Sequence, residues 1–247
     1  MIRLEHVTKR YGATLAVDDV SFEVARGEVV GFLGPNGAGK STVLRMLSTW
    51  LTPDAGTITV AGHDARVEPL AVRRALGYLP EHNALYETMR VDRFLAFVGK
   101  MHGLAGARLE ERARWVVEAC QLEGVLAKKI QHCSKGFRQR VGVAAALIHD
   151  PPVVLLDEPT HGLDPLQVAL FLEFVRRLAR EHAVLFSTHI LSEAAAVADR
   201  LLVIQQGKLI LDAPVATVRS EASVAGRTLE DEILARVRGS VASGKGA

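Results

Sequence analysis

Val29-Val30-Gly31-Phe32-Leu33, followed by Gly34-Pro35-Asn36-Gly37-Ala38-Gly39-Lys40-Ser41-Thr42, is the stretch that decides how the rest of the chain is read. The short apolar run predicts a strand buried on both faces. Gly34 to Ser41 has the spacing GxxxxGK[ST]. Glycines let a backbone wrap around an anion with successive N–H groups pointing inward. Val43, Leu44, Leu47 and Leu51 then recur at helical spacing until Pro53-Asp54-Ala55-Gly56. They predict a helix whose free N-terminal N–H groups face the same anion. In such a loop Lys40 reaches the β and γ phosphates of a nucleotide, and the Ser41 hydroxyl ligates Mg²⁺. Residues Gly34, Pro35, Asn36, Gly37, Ala38, Gly39, Lys40, Ser41 and Thr42 are therefore candidates for nucleotide binding. The competing reading is a glycine-rich turn before a helix; the preceding strand and following helix favour the first.

Downstream, Val153-Val154-Leu155-Leu156 ends in Asp157-Glu158. Ligands of open α/β sheets sit beyond the carboxyl ends of the strands. Asp157 is placed to hold a metal, and Glu158 to orient or deprotonate an attacking water. By itself such a pair is often only two solvated acids; the phosphate loop upstream makes that the minority view. VLFST (184–188) reads as a second buried parallel strand, with helices at 165–181 and 190–199 alternating around these strands.

Outward from this centre the pattern changes. IRLEHV and VSFEV alternate in strand fashion around a turn at Tyr11-Gly12, and TITVAGHD (57–64) reads as strand and turn. Between 82 and 150 the apolar residues fall at i, i+3 and i+4, which predicts a helical insert in a mixed α/β body. LLVIQQGKLILD (201–212) reads as a hairpin turning near Gln206-Gly207, and 229–238 as a charged amphipathic piece. We expect one domain over 1–239. Its core and β subdomain would occupy 1–81 and 151–220, a helical subdomain 82–150 and a C-terminal helical extension 221–239. A flexible tail would occupy 240–247.

Composition narrows the function classes. The 247 residues carry 30 Lys plus Arg against 28 Asp plus Glu, a net charge of +2, and 49% are hydrophobic. That balance excludes a strongly basic nucleic-acid binder or a largely disordered chain. Cys120 and Cys133 have neither CxxC nor zinc-ligand spacing, so a reducing compartment is the default. MIRLEHVTKRYG lacks the apolar segment of a signal peptide. No apolar run approaches the ~18 residues of a spanning helix. The expectation is a chain soluble by itself, with any membrane role left to a separate subunit.

Cys133-Ser134-Lys135-Gly136-Phe137-Arg138-Gln139-Arg140 resembles the signature motif of ATP-binding cassette (ABC) ATPases, usually LSGGQ followed by basic residues. Gly162-Leu163-Asp164-Pro165 is similar to the family's D-loop, and Ser187-Thr188-His189 to its switch-histidine loop. Tyr11 stands where the adenine-stacking aromatic stands, and Gly77-Tyr78-Leu79-Pro80-Glu81 where the Q-loop stands. The motifs keep register from residue 2 to about 212. Taken with the phosphate loop and acidic pair, they identify the chain as a member of the family. SKGFRQRVG and YLPEHNALYETM resemble its type-2 exporter class, including gliding-motility-type and drug- or sodium-efflux-type ATPases.

The resemblance implies a P-loop NTPase (RecA-like) α/β fold, with an N-terminal antiparallel β subdomain and an inserted α-helical subdomain. It implies Mg²⁺-dependent ATP hydrolysis in an ATP-dependent head-to-tail homodimer. Ser134, Lys135, Gly136 and Asp164 of one copy would meet the nucleotide of the other. Catalytic candidates are Glu158, His189, Lys40 and Glu81; metal candidates are Ser41, Glu81 and Asp157. A separate transmembrane permease would convert closure into export, placing the chain in the cytoplasm at the inner membrane face. No nucleic-acid partner is expected. The alternative is a soluble, non-transport ABC ATPase, but the chain has one cassette, no heptad run and no zinc spacing.

Three departures matter. Glu81 replaces the usual glutamine, Cys133 the usual leucine, and Lys135 the first signature glycine. A carboxylate about 4 Å from a phosphate charge costs about 4 kcal/mol at an effective dielectric of 20. Glu81 therefore either meets the nucleotide through Mg²⁺ or faces the membrane subunit. Lys135 either strengthens closure or is a solvated lysine. His161, in the turn before the D-loop, either faces the phosphates or faces solvent. Tyr11 stacks on a base or is an ordinary turn aromatic. Leu85, Tyr86, Met89 and Val91 either contribute to the permease groove or belong to the core.

Overall fold

The computed structural model describes residues 1–243. Strands β1 (Ile2–Tyr11) and β2 (Thr14–Val24) form a hairpin that alternates buried and exposed residues. β3 (Val29–Leu33) is buried throughout and leads into α1 (Lys40–Leu47). β4 (Ala55–Val60) and β5 (His63–Asp64) complete an antiparallel sheet in the order β2-β1-β4-β5. Next come α2 (Pro69–Arg74), β6 (Leu76–Leu79), α3 (Val91–Met101), α4 (Gly106–Ala119) and α5 (Lys135–Leu147). The remainder is β7 (Val153–Asp157), α6 (Pro165–Leu178), β8 (Ala183–Thr188), α7 (Leu191–Val197), β9 (Arg200–Gln205), β10 (Lys208–Pro214), α8 (Val215–Val224) and α9 (Leu229–Ser243). A six-stranded sheet runs β10-β9-β3-β8-β7-β6, parallel except for the β9/β10 pair.

Side chains alternate across this sheet with period two, so each central strand feeds both faces. Val30, Phe32, Val153, Leu155 and Leu185 pack with α1 and the antiparallel sheet. Val154, Leu156, Val184 and Phe186 face the other way, into a cluster with residues of α3, α4, α5 and α6. A third cluster joins Leu33, Leu201 and Val203 to α7, α8 and α9. Covering both faces is what lets β3, β7 and β8 be continuously apolar. The phosphate loop and the acidic pair thus emerge from strands that cannot shift without disrupting two cores.

Several local expectations change. α1 ends at Leu47 with Ser48 as its C-cap, so Leu51 lies beyond it. α2 and β6 have no counterpart in the sequence reading. β6 is four residues long and contains Gly77, where a Cβ would lie 2.3 Å from the Ala146 carbonyl oxygen of α5. A glycine forced by close packing removes the β-branched signal that marks a strand. Residues 82–150 hold α3, α4 and α5, but their apolar faces share one cluster with the sheet rather than forming a core of their own. Val91 is fully buried in that cluster and Tyr86 is exposed, which separates two residues grouped together by sequence. The C-terminal helices begin at Val215, not 221, and α9 continues through Ser243. Of the tail expected at 240–247, residues 244–247 lie outside the described residues.

Candidate functional site

The phosphate loop is shaped by close backbone approaches. Gly39, the N-cap of α1, has φ 113°, and a Cβ there would lie 2.6 Å from the Ala16 carbonyl oxygen. Any side chain would therefore be excluded by both torsion and space. The loop is tied to the β9–β10 turn by Gly207 N–H donating to the Ala38 carbonyl at 3.0 Å. Lys40 is only 6% exposed. Its Nζ donates to the carbonyls of Gly34 at 2.5 Å and Pro35 at 3.4 Å, and lies 3.3 Å from Glu158 Oε1. A buried ammonium needs such partners, because desolvation penalises its charge.

Asp157 ends β7 and is 2% exposed. Its carboxylate accepts from Ser187 Oγ at 2.6 Å and has the Ser41 hydroxyl nearby. Burial raises its pKa above the usual carboxylate range, and the negative charges of Glu81 and Glu158 push the same way, against both hydroxyls. Ser41 and Asp157 offer hard oxygen ligands in a negative environment, which fits Mg²⁺. Among the described residues, no three His, Cys, Asp or Glu side chains form a cage of their own. Mg²⁺ held by one or two carboxylates plus substrate phosphates needs no such cage.

Glu158 follows with φ 46°, a left-handed conformation rare outside glycine. Its N–H donates to the Ser187 carbonyl at 3.2 Å and to Ser187 Oγ at 3.1 Å, which hold this conformation. The carboxylate lies between Lys40 and His189. Oε2 pairs with His189 Nδ1 at 2.9 Å, while among the described residues buried Oε1 makes no hydrogen bond and has only the Lys40 ion pair. Lys40, Glu158 and His189 line one cleft of about 380 Å³ together with Pro35, Asn36, Gly37, Gly39, Ser41, Thr42 and Glu81. Ala16 and His161 also line it. Ala16 was not singled out from the sequence, and His161 was read there as either phosphate-facing or solvent-facing. Glu81 lines a neighbouring cleft of about 550 Å³ as well, with Asp157, Trp50, Leu85, His102 and His149. Both readings of Glu81 thus start from one position, at the junction of the two clefts.

Other candidates lie elsewhere. Tyr11 is exposed beside the β1–β2 turn and does not line the cleft. Ser134, Lys135, Gly136 and Asp164 are also outside it. Ser134 caps α5, its Oγ accepting from Phe137 N–H at 3.3 Å, and Asp164 caps α6, accepting from Gln167 N–H at 3.0 Å. The two segments interlock. Gln139 Nε2 donates to the Pro159 carbonyl at 2.8 Å. A Cβ on Gly136 would lie 2.1 Å from Gln167 Oε1, and one on Gly162 would lie 1.9 Å from Lys135 Nζ. Lys135 therefore packs over the D-loop backbone of its own chain. Ser187, quoted from the sequence only as part of the switch-histidine motif, bonds both Asp157 and the Glu158 N–H, a contact no sequence signal specified.

The pattern of a family described as ABC transporter matches residues 17–161. A shorter match, to an AAA domain described as a putative AbiEii toxin, covers 128–195. The chain is 42% identical over 221 residues to the daunorubicin resistance ATP-binding protein DrrA3 of Streptomyces coeruleorubidus, spanning 89% of this chain and 70% of that one. It is 38% identical over 222 residues to the Nod factor export ATP-binding protein I of Paraburkholderia xenovorans, spanning 89% and 73%. The solved structure of cbiO1 from Clostridium perfringens, described as part of the ABC transporter complex cbiONQ, superposes with a TM-score of 0.81 at 26% identity, covering 90% of this chain and 92% of that one.

Proposed function

The chain belongs to the ABC transporter family, and from that premise we propose how its residues work. It is an ATP-binding, ATP-hydrolysing subunit of the kind that dimerises and acts with membrane permease subunits. Our reading takes 1–239 as one cassette, with the Lys40 cleft as half of each ATP site. The observation that carries the reading is Glu158, held between His189 and Lys40 at the mouth of the phosphate loop.

In this reading the loop N–H groups and Lys40 bind the phosphates, and Tyr11 stacks on the base. Ser41, Asp157 and Glu81 would hold Mg²⁺, which would supply neutralisation of phosphate charge. Glu158 accepts the proton of the water whose oxygen attacks the γ-phosphorus, and ADP leaves with the electrons of the broken bond. His189 uses Nδ1 to hold Glu158, leaving Nε2 for a γ-phosphate oxygen. Two copies close head to tail, so that Ser134, Lys135 and Gly136 cap the partner's nucleotide. Their position outside the cleft of their own chain supports this arrangement.

No helix among the described residues is long and apolar enough to cross a membrane. The proposal therefore assigns the membrane path to a separate permease, with this chain at its cytoplasmic face and export as the direction. A relative named for Nod factor export supports that direction. The test is light scattering of Glu158→Gln with and without Mg-ATP. The variant should bind ATP, turn over about 10²–10⁴-fold more slowly and accumulate as a dimer. Near-normal turnover would remove Glu158 from its role.

A further inference from the structure

Helix α7 carries a buried carboxylate that the reaction as described leaves unused. Glu193 is 8% exposed. Its Oε2 accepts from Thr160 Oγ1 at 2.6 Å and from Thr188 Oγ1 at 3.2 Å. Thr188 Oγ1 in turn accepts from Ile190 N–H at 3.0 Å. Thr160 and Thr188 are buried as well, at 5% and 0% exposure. Burying a carboxylate is costly unless its oxygens are hydrogen-bonded, and bonds to an ionised acceptor are about twice as strong as neutral ones.

The positions of these partners give the contact its meaning. Thr160 lies two residues past Glu158, in the loop leading to the Asp164 cap of α6. Thr188 and Ile190 flank His189 on either side. One carboxylate oxygen thus holds the loop of the general base and the loop of the histidine, across which Glu158 and His189 meet at 2.9 Å. His189 itself is exposed, and among the described residues its side chain makes one hydrogen bond, so its placement depends on the backbone either side of it.

We propose that Glu193 is a positioning residue, tying the loop after Glu158 to the switch-histidine loop so that the two carry the Glu158–His189 pair as one unit. The inference rests on the roles proposed above for Glu158 and His189. Glu193 touches neither nucleotide nor water in this account; it acts through Thr160 and Thr188.

The test compares Glu193→Ala, Glu193→Gln and Thr160→Val in the full chain by steady-state ATPase kinetics, equilibrium ATP binding and thermal unfolding. A misplaced catalytic group costs up to about a hundred-fold in rate. Glu193→Ala should lower kcat by about ten- to a hundred-fold and leave ATP affinity unchanged. Glu193→Gln keeps an oxygen able to accept from both threonines and should restore most of kcat. Thr160→Val, close to threonine in shape but without the hydroxyl, should lower kcat without weakening ATP binding; it carries the test alone if Glu193→Ala does not fold. Unchanged kcat in both Glu193→Ala and Thr160→Val would overturn the proposal. So would loss of ATP affinity in step with kcat, or a glutamine variant as impaired as the alanine one. Glu158→Gln is measured alongside. Should it turn over normally, the catalytic reading itself fails. Should it be slow while Glu193→Ala is normal, only the positioning role fails.

Discussion

The Lys40 cleft and the surface carrying Ser134 and Asp164 are built on opposite plans. In and beside the cleft, Lys40, Asp157 and Glu158 are each less than a tenth exposed; Lys40 pairs with Glu158, Glu158 with His189, and Asp157 accepts from Ser187. Those bonds fix charges in a partly desolvated site, where they act strongly. On the surface, Ser134, Lys135 and Asp164 are exposed. Ser134 and Asp164 serve as helix caps, and none of the three converges on the cleft of its own chain. The first is the half of the proposed ATP site whose charged side chains already meet within one chain. The other is a rigid presentation surface, stiffened by the Gln139–Pro159 bond and by the contact of Gln167 with Gly136, and is proposed to act on a second copy.

Lys40→Ala should break the first region outright. It removes the cation proposed to bind phosphate and leaves buried Glu158 without its ion pair, and breaking a buried pair costs about 3–5 kcal/mol. Loss of nearly all ATP binding, measured by fluorescent-nucleotide titration, is the expected result; normal binding would refute the loop's role.

Ser134→Ala should separate the two regions. Monomer ATP affinity should stay the same, while ATP-driven dimerisation in the Glu158→Gln background falls at least several-fold. Losing the cap should also lower stability by about 1 kcal/mol in denaturant unfolding. A fall in monomer affinity would show that the halves are not independent. Glu81→Gln tests the junction of the two clefts. ATP binding should become less dependent on Mg²⁺ concentration, and an unaltered dependence would assign Glu81 to the permease side.

The smallest effect lies in the second cleft, where His102 and His149 stack with ring centroids 3.7 Å apart. Burial first, and then the His102 charge, push the His149 pKa from its ordinary 6.5 down to about 4. Below about pH 6.5 the unfolded chain binds a proton that the folded chain refuses until about pH 4. Stability should therefore fall as pH drops through that window. His149→Gln should flatten the slope in pH-dependent unfolding, without altering ATP binding at neutral pH.

Legibility followed the range of the interactions. The phosphate loop, β3, β7, β8 and the acidic pair are readable because each is specified by neighbours in sequence: glycine spacing, apolar runs, carboxylates at a strand end. α2 and β6 escaped because they are short, and because Gly77 is there to make room for α5 rather than to favour a strand. Helix lengths were overestimated where periodicity ran past a cap, as at Leu51.

What the sequence determined by itself was the order of the elements and the chemistry offered at each strand end, since both are local. Tertiary structure alone decided which side chains meet. Thr160 and Glu193 are 33 residues apart in sequence, and Ser187 and Asp157 are 30 apart, yet each pair is hydrogen-bonded. Those contacts exist because β7 and β8 lie side by side in the sheet, delivering their loops to the same edge. No periodicity or motif encodes that adjacency; it comes from burying both faces of one sheet at once.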